Sequence, residues 1–346
     1  MDKEKEIVRL FSGEIRKRLM QAGLDYDNVR EIRLRTNRPL QIVGGKNIYF
    51  LSRSGRLTRR TEQAYVVTKE DLRETLEFAG NYSLYAYEEE LKEGFLTVEG
   101  GHRIGVAGKV VRDGMHVAGM RYITSVNVRI SHEITGCARN LLPLLMSQGS
   151  FCHTLLISPP GCGKTTILRD LVRQLAGGEE EAELPLAYTV GVVDERGEIA
   201  GAHMGIPTKD LGLFTDVLDG CPKAEGMLML LRSMSPDILA VDEIGKEEDV
   251  EAISYASCCG CRVIATMHGN TLEELKRKPF CRKFLEEQIF ERYVFLEMGE
   301  HPGQIREILD GWGNPVSILS LEGPVKEGLK KLEAGMSDSP ADVCLP

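Results

Sequence analysis

The spacing of apolar residues changes repeatedly along this chain. Over 2–21 the apolar positions Ile7, Leu10, Phe11, Ile15 and Leu19 recur at helical spacing among charged residues, and Gly23 follows as a stop. This predicts one surface helix with a single apolar face. Over 30–43 the period shortens to two, with Ile32 and Leu34 alternating against Arg33 and Arg35 and with Arg38 close behind, the pattern of a half-buried strand. Thr68, with an acid three residues on, opens a helix running to Ala79 through a capping box, and a second short helix is expected around 82–91. Over 94–130 the segments GFLTVEG, HRIGVAGKVV and RYITSVNVRI read as antiparallel strands turned at Arg112-Asp113-Gly114. The N-terminal part is therefore expected to be α+β. A short helix and a polar connection over 135–150 place a domain boundary near 140–150.

Beyond that boundary short apolar runs alternate with helical patterns, the rhythm of an α/β fold. Strands are predicted over 152–157, 187–194, 238–241 and 262–266, and helices over 166–175, 222–234 and 247–257, the last ended by Gly260. An acidic loop covers 177–183, and strands over 292–298 and 304–309 form a hairpin about His301-Pro302-Gly303. A short charged helix and a polar tail follow Glu322. The expected organisation is an α+β domain over 1–140, an α/β domain over 141–322 and a tail over 323–346.

Composition narrows the class. With 346 residues and 42% apolar content the chain is long enough for two cores. A net charge of −9 argues against a protein whose main task is neutralising nucleic-acid phosphates. No run approaches the length of a membrane helix and MDKEKEIVRL has no signal-peptide core, so a cytosolic protein is expected. The nine cysteines are then thiols. Cys258 and Cys261 have C-x-x-C spacing without a second zinc-spaced pair, and fit better as small apolar fillers.

The chemistry concentrates where strand, turn and helix follow without a break. Ser158-Pro159-Pro160-Gly161-Cys162-Gly163-Lys164-Thr165-Thr166 reads as a phosphate loop, with Ser158 where the usual pattern starts with glycine. Its glycines let successive N–H groups turn toward phosphate oxygens at a helix N-terminus. Lys164 reaches the β and γ phosphates, and the Thr165 hydroxyl suits magnesium. Asp242 and Glu243 end the strand of DILAVDEIG, placing Asp242 to hold magnesium through water and Glu243 to orient or deprotonate the attacking water. For Asp194 and Glu195, at the end of another strand, two readings stand side by side: they face the metal or the water, or they solvate a loop. His268 ends a further strand at the same sheet edge, placed to sense the γ-phosphate. Among the N-terminal basic residues, Arg103 and Arg121 are the preferred candidates, ahead of Arg129, for an arginine supplied from a neighbouring subunit, against the reading of surface ion pairs. Arg33 and Arg35 read first as a solvated face.

The order SPPGCGKTT, VVDERGEIAG, LRSMSPDILAVDEIG, ATMHGN resembles the secretion ATPases of the type II, type IV pilus and type IV secretion superfamily. The resemblance implies a RecA-like P-loop ATPase domain hinged to a smaller N-terminal domain, a hexamer, and ATP with Mg2+ as nucleotide and metal. It carries nucleotide or magnesium roles onto Glu195, Asp242, Glu243 and His268. REIRLRTNRPLQI with YEEELKEGFLTVEGGHRIGVAGKVV narrows the likeness, over about 30–320, to a sporulation branch of that superfamily. That branch implies a cytoplasmic ATPase on the mother cell face of a membrane channel complex reaching the forespore. The four-cysteine zinc module and a pilus-retraction motif of other branches are absent. A nucleic-acid translocase on the same core and an ATP-binding assembly scaffold with little turnover are the alternatives; a small-molecule kinase lacks an acceptor-binding segment.

Overall fold

A computed structural model of the chain describes residues 3–316 apart from 46, 81–90, 93, 115, 178–186 and 300–302. The helix expected around 82–91, nearly all of the acidic loop, most of the 301–303 turn and the tail lie outside these residues. Two units divide the chain: Met1–Glu133 with Gly201–Lys209, and Ile134–Ala200 with Asp210–Pro346. The division falls a few residues before the boundary expected near 140. The return of Gly201–Lys209 to the first unit was not expected from the sequence.

In the first unit α1 (Lys3–Val8) and α2 (Gly13–Ala22) stand where one helix was expected. Ser12 makes the break. Its hydroxyl accepts the Ile15 N–H to cap α2 and donates to Asp71 at 2.7 Å, while Asp71 also completes the capping box of α3 (Lys69–Ala79). A residue committed to two helix starts cannot continue the helix before it. Strands β1 (Val29–Arg35), β2 (Gln41–Gly44), β3 (Asn47–Leu51), β4 (Leu57–Thr58), β5 (Phe95–Val98), β6 (His102–Asp113) and β7 (His116–Arg129) form a sheet in the order β4-β3-β2-β1-β7-β6-β5. Every neighbouring pair in it is antiparallel. Ile32, Leu34, Ile104, Val126 and Val128 pack one sheet face against Phe11, Ile15, Leu19, Leu72 and Leu76 of the helical segments. The register puts Arg33 beside Asn127 and Arg103 beside Arg129, so the alternate residues make the opposite face basic.

His102 lies 2% exposed in this unit. The Ser131 N–H donates to its Nδ1 at 3.0 Å, so the ring proton sits on Nε2, 3.0 Å from a Glu6 carboxylate oxygen. Burial, reinforced by the charges of Lys209, Lys3, His132 and Arg9, pushes the ring pKa down to about 3. The folded protein therefore binds this proton less readily than the unfolded chain. Stability is level above the ordinary value of 6.5 and falls as pH drops from 6.5 toward 3. The full span amounts to on the order of 5 kcal/mol. Burial also depresses His132, and pushes His153 of the second unit down to about 4. Urea unfolding at pH 7.5, 6 and 5 is expected to show a falling midpoint, with a shallower fall for His102→Asn; an unchanged slope in that variant would refute the assignment.

The second unit begins with a 3-10 turn, Leu142–Leu145, and a small hairpin of β8 (Met146–Ser147) and β9 (Ser150–Phe151), where a short helix was expected. Then come β10 (Thr154–Ser158), α4 (Lys164–Leu175), β11 (Val190–Asp194), β12 (Thr215–Asp219), α5 (Lys223–Ser233) and β13 (Ile238–Val241). After them follow α6 (Glu247–Cys258), β14 (Arg262–His268), α7 (Leu272–Arg277), α8 (Cys281–Glu286), β15 (Arg292–Glu297) and β16 (Gln304–Asp310). The sheet order is β12-β11-β13-β14-β10-β15-β16, parallel except for the β15–β16 hairpin. Residues of β10, β11 and β13 are buried without alternation, as strands covered on both faces must be. Leu168, Leu171, Val172 and Leu175 of α4 cover one face, and Met227, Leu230, Ile253 and Ala256 of α5 and α6 belong to the core on the other. Cys258 and Cys259 are exposed and Cys261 is buried. Among the described residues no group of three or more His, Cys, Asp or Glu is placed to hold a metal, and no helix is long and apolar enough to cross a membrane.

Asp170, 2% exposed on α4, fastens this helix to the entry segment. Its carboxylate accepts the Gly136 and Ala138 N–H groups at 2.9 and 2.7 Å, Arg173 at 2.9 Å and Gln174 at 2.8 Å. Asp170→Ala would remove the buried acceptor shared by the Arg173 guanidinium, the Gln174 amide and the Gly136 and Ala138 N–H groups, a loss of about 3–5 kcal/mol. Thermal unfolding should show a midpoint lower by roughly 10 °C; a shift below about 2 °C would show that Asp170 does not hold the helix in place.

Candidate nucleotide site

In an open parallel sheet, ligands bind beyond the carboxyl ends of the strands. Here the pairing of β14 with β10 sets His268 level with Ser158, while β13 and β11 deliver Asp242 and Glu195 to the same edge. Between Ser158 and α4 the chain turns through Gly161 at φ +81° and Gly163 at φ +91°, the latter the residue that starts α4. Both angles belong to glycine, and they free the loop to curl over the helix N-terminus. Pro159 and Pro160 form its outer rim, Cys162 is buried beneath it, and Thr166 is half-buried two residues into the helix.

Lys164 is 8% exposed and folds back on the loop. Its Nζ donates to Ser158 O at 3.0 Å and Pro159 O at 3.3 Å and lies 2.9 Å from His268 Nδ1. Burial pulls its pKa below the ordinary lysine value, and the charges of Asp242 and Glu243 oppose that. An ammonium has no acceptor, so His268 Nδ1 accepts and its Nε2 carries the proton. That nitrogen faces Glu243 Oε1 at 3.3 Å. Lysine, histidine and glutamate thus form a continuous chain.

Asp242 is held from two sides: the Thr165 hydroxyl reaches its Oδ2 at 3.1 Å and the Thr266 hydroxyl its Oδ1 at 2.7 Å. The Glu243 N–H donates to Thr266 Oγ1 at 2.9 Å, and Glu243 adopts φ +31°. A non-glycine residue there stores roughly 1–3 kcal/mol of strain, which the neighbouring bonds must hold in place. The Thr165 hydroxyl beside a carboxylate is a hard oxygen pair. It suits a Mg2+ ion that takes one or two protein oxygens and draws the rest from phosphate and water.

Glu195 and Asp194 separate in role. Asp194 is 1% exposed and accepts the N–H groups of Glu198, Ile199 and Ala200 at 2.8–3.0 Å. Burial raises its pKa, against the pull of those bonds. It staples the following loop from a buried position rather than solvating it, while Glu195 is ion-paired with Lys223 and lines a pocket with Asp242, Glu243, Arg196 and Glu198. Thr266, Lys223 and Arg196 escaped the sequence reading. Thr266 was within reach of it, because it stands two residues before His268 on the same strand and so on the same face.

Arg103 and Arg121 lie in the other unit. The Arg103 guanidinium stacks 3.7 Å above the Phe95 ring, and Arg121 is exposed opposite Lys109. Arg33 and Arg129 both meet Glu31, at 2.5 and 3.6 Å, and Arg35 donates to Gln41 at 2.8 Å.

A family model described as sporulation stage III, protein AA, matches residues 1–316. The stage III sporulation protein AA of Bacillus subtilis (strain 168) is 42% identical over 289 residues, covering 84% of this chain and 89% of that protein. Among solved structures, the Legionella pneumophila ATPase DotB aligns with a TM-score of 0.53 at 16% identity, over 88% of this chain and 84% of that one. The pilus retraction motor PilT with bound ADP aligns with a TM-score of 0.54 at 16% identity, over 94% and 88%. The fold is that of the secretion ATPases, a RecA-like unit and a smaller α+β unit in one chain, and by its sequence the chain belongs to the sporulation stage III, protein AA family.

Proposed function

We propose that this protein is a Mg2+-dependent ATPase that drives a channel complex during endospore formation. The observation carrying this reading is the convergence of Lys164, Thr165, Asp242, Glu243 and His268 on the carboxyl edge of one parallel sheet, around a loop that leaves backbone N–H groups for phosphate. Ser158 to Thr166 bind the nucleotide phosphates, Lys164 turning from the loop carbonyls to the β and γ phosphates. Thr165 and, through water, Asp242 hold magnesium, which when bound neutralises charge on the phosphate oxygens. Glu243 orients and deprotonates the attacking water; His268 senses the γ-phosphate through its contacts with Lys164 and Glu243; Glu195, in the same pocket as Asp242 and Glu243, faces the magnesium or the attacking water.

The active form is a homo-oligomer, a hexamer by likeness, in which Arg103 and Arg121 of an adjacent subunit complete the site. It works in the cytoplasm, docked on the mother cell face of a membrane complex, and release of phosphate lets the two domains rock. ATPase activity measured against protein concentration tests this. Specific activity should climb with concentration, and an Arg103→Ala, Arg121→Ala double variant should lose it. Activity independent of concentration in both proteins would rule out the shared site.

A further inference from the structure

The loop after β11 carries a cation that no role above uses. Arg196 follows Glu195 directly, its side chain is 61% exposed, and its guanidinium stands 3.6 Å from Glu243 Oε2. Of the other cations in this unit near the site, Lys164 is bound to the phosphate loop and Lys223 is ion-paired with Glu195 at 10% side-chain exposure. Arg169 holds the carbonyls of Glu198 and Ile199 at 2.6 and 2.7 Å. We propose that Arg196 is an arginine supplied in cis to the transferring phosphoryl group, parked on the Glu243 carboxylate until nucleotide arrives. This rests on the ATPase reading.

Three features support it. First, the base of the arginine is fixed: residues 198–200 are clamped by Asp194 from one side and residues 198–199 by Arg169 from the other. A fixed base presents the guanidinium without a large ordering cost. Second, its grip on Glu243 is the looser of two. His268 approaches the same carboxylate at 3.3 Å and is tied through its other nitrogen to Lys164, whereas a solvent-exposed ion pair at 3.6 Å is worth about 0–1 kcal/mol. A γ-phosphoryl group with more negative charge and in-plane oxygens is a better partner for a guanidinium than one carboxylate. Third, Glu243 has to release one partner to take a water proton, and Arg196, its side chain 61% exposed against 40% for His268, is the more solvent-accessible of the two. Leaving the carboxylate frees the base and delivers positive charge to the phosphoryl oxygens in one step.

The test compares wild type with Arg196→Ala and Arg196→Lys as full chains. Arg196→Ala should lower kcat about 10²- to 10³-fold with little change in KM, and Arg196→Lys should recover part of the loss. Binding gives an independent readout. ADP affinity should be unchanged in Arg196→Ala, while the tighter binding of ADP with aluminium fluoride and magnesium should be lost. Mixing Arg196→Ala with Lys164→Ala subunits should restore nothing, because each cis site lacks one cation. Restored activity would mean the arginine acts on a neighbouring copy, and undiminished fluoride binding in Arg196→Ala would mean it does not contact the phosphoryl group; either overturns the proposal. A wild type that neither hydrolyses ATP nor tightens with fluoride overturns the ATPase reading itself, and the assignment of Arg196 with it.

Discussion

Lys164→Ala is expected to abolish turnover, with phosphate release from ATP falling by at least about 10²-fold. The ammonium is the deepest positive charge at the sheet edge. It is 8% exposed and surrounded by Ser158 O, Pro159 O and His268. Burial disfavours its charged form, a cost that phosphate oxygens relieve once nucleotide displaces the loop carbonyls. Without it the β and γ phosphates meet backbone N–H groups alone. His268 loses its anchor too, and through it Glu243. Stability should change far less, since the substitution leaves the Ser158 and Pro159 carbonyls and His268 Nδ1 each short of one donor, about 1 kcal/mol apiece. A variant that hydrolyses ATP at near wild-type rate would remove Lys164 from the site.

Glu243→Gln should separate binding from chemistry. The amide keeps the size of the side chain and can still accept from His268 Nε2, so ATP affinity should hold within a few-fold. It cannot take a proton from water, and hydrolysis should fall about 10²- to 10⁴-fold. The backbone at φ +31° is fixed by Thr266 and Asp242, neither of which touches the altered atoms, so the fold should be unaffected. Single-turnover phosphate release beside equilibrium nucleotide binding decides this. Loss of both together would make Glu243 a structural residue, loss of neither would mean that Glu243 does not activate the water, and equally scant release by both proteins would favour a protein that binds ATP to assemble and scarcely turns it over.

Much of the site was legible because its chemistry sits on a simple rule. A phosphate loop between a strand and a helix, and acids or a histidine at the ends of other parallel strands, must meet at one edge, and Lys164, Asp242, Glu243 and His268 do so. What was hidden depends on side chains that cross between segments. Ser12 reads as one more position of a helix until Asp71, far along the chain, takes its hydroxyl. Asp194 reads as a possible ligand until the loop that follows folds back and donates three N–H groups to it. β12 was missed because TDVLD lies at the sheet edge, where burial is partial and the apolar signal weak. Gly201–Lys209 gives no local hint of joining the first unit. Its ties are a Lys209 bond to Gly100 O at 2.9 Å and a His203 contact with Thr97 O at 3.3 Å, both across about a hundred residues of chain.

The central claim is that this sheet edge hydrolyses ATP with magnesium. It is tested most directly by phosphate release from ATP by the purified full chain, with magnesium and with excess chelator, beside Glu243→Gln. The account predicts release by the wild type that stops with chelator and is nearly absent in the variant. No release by the wild type at any protein concentration, or equal release by wild type and variant, would contradict it.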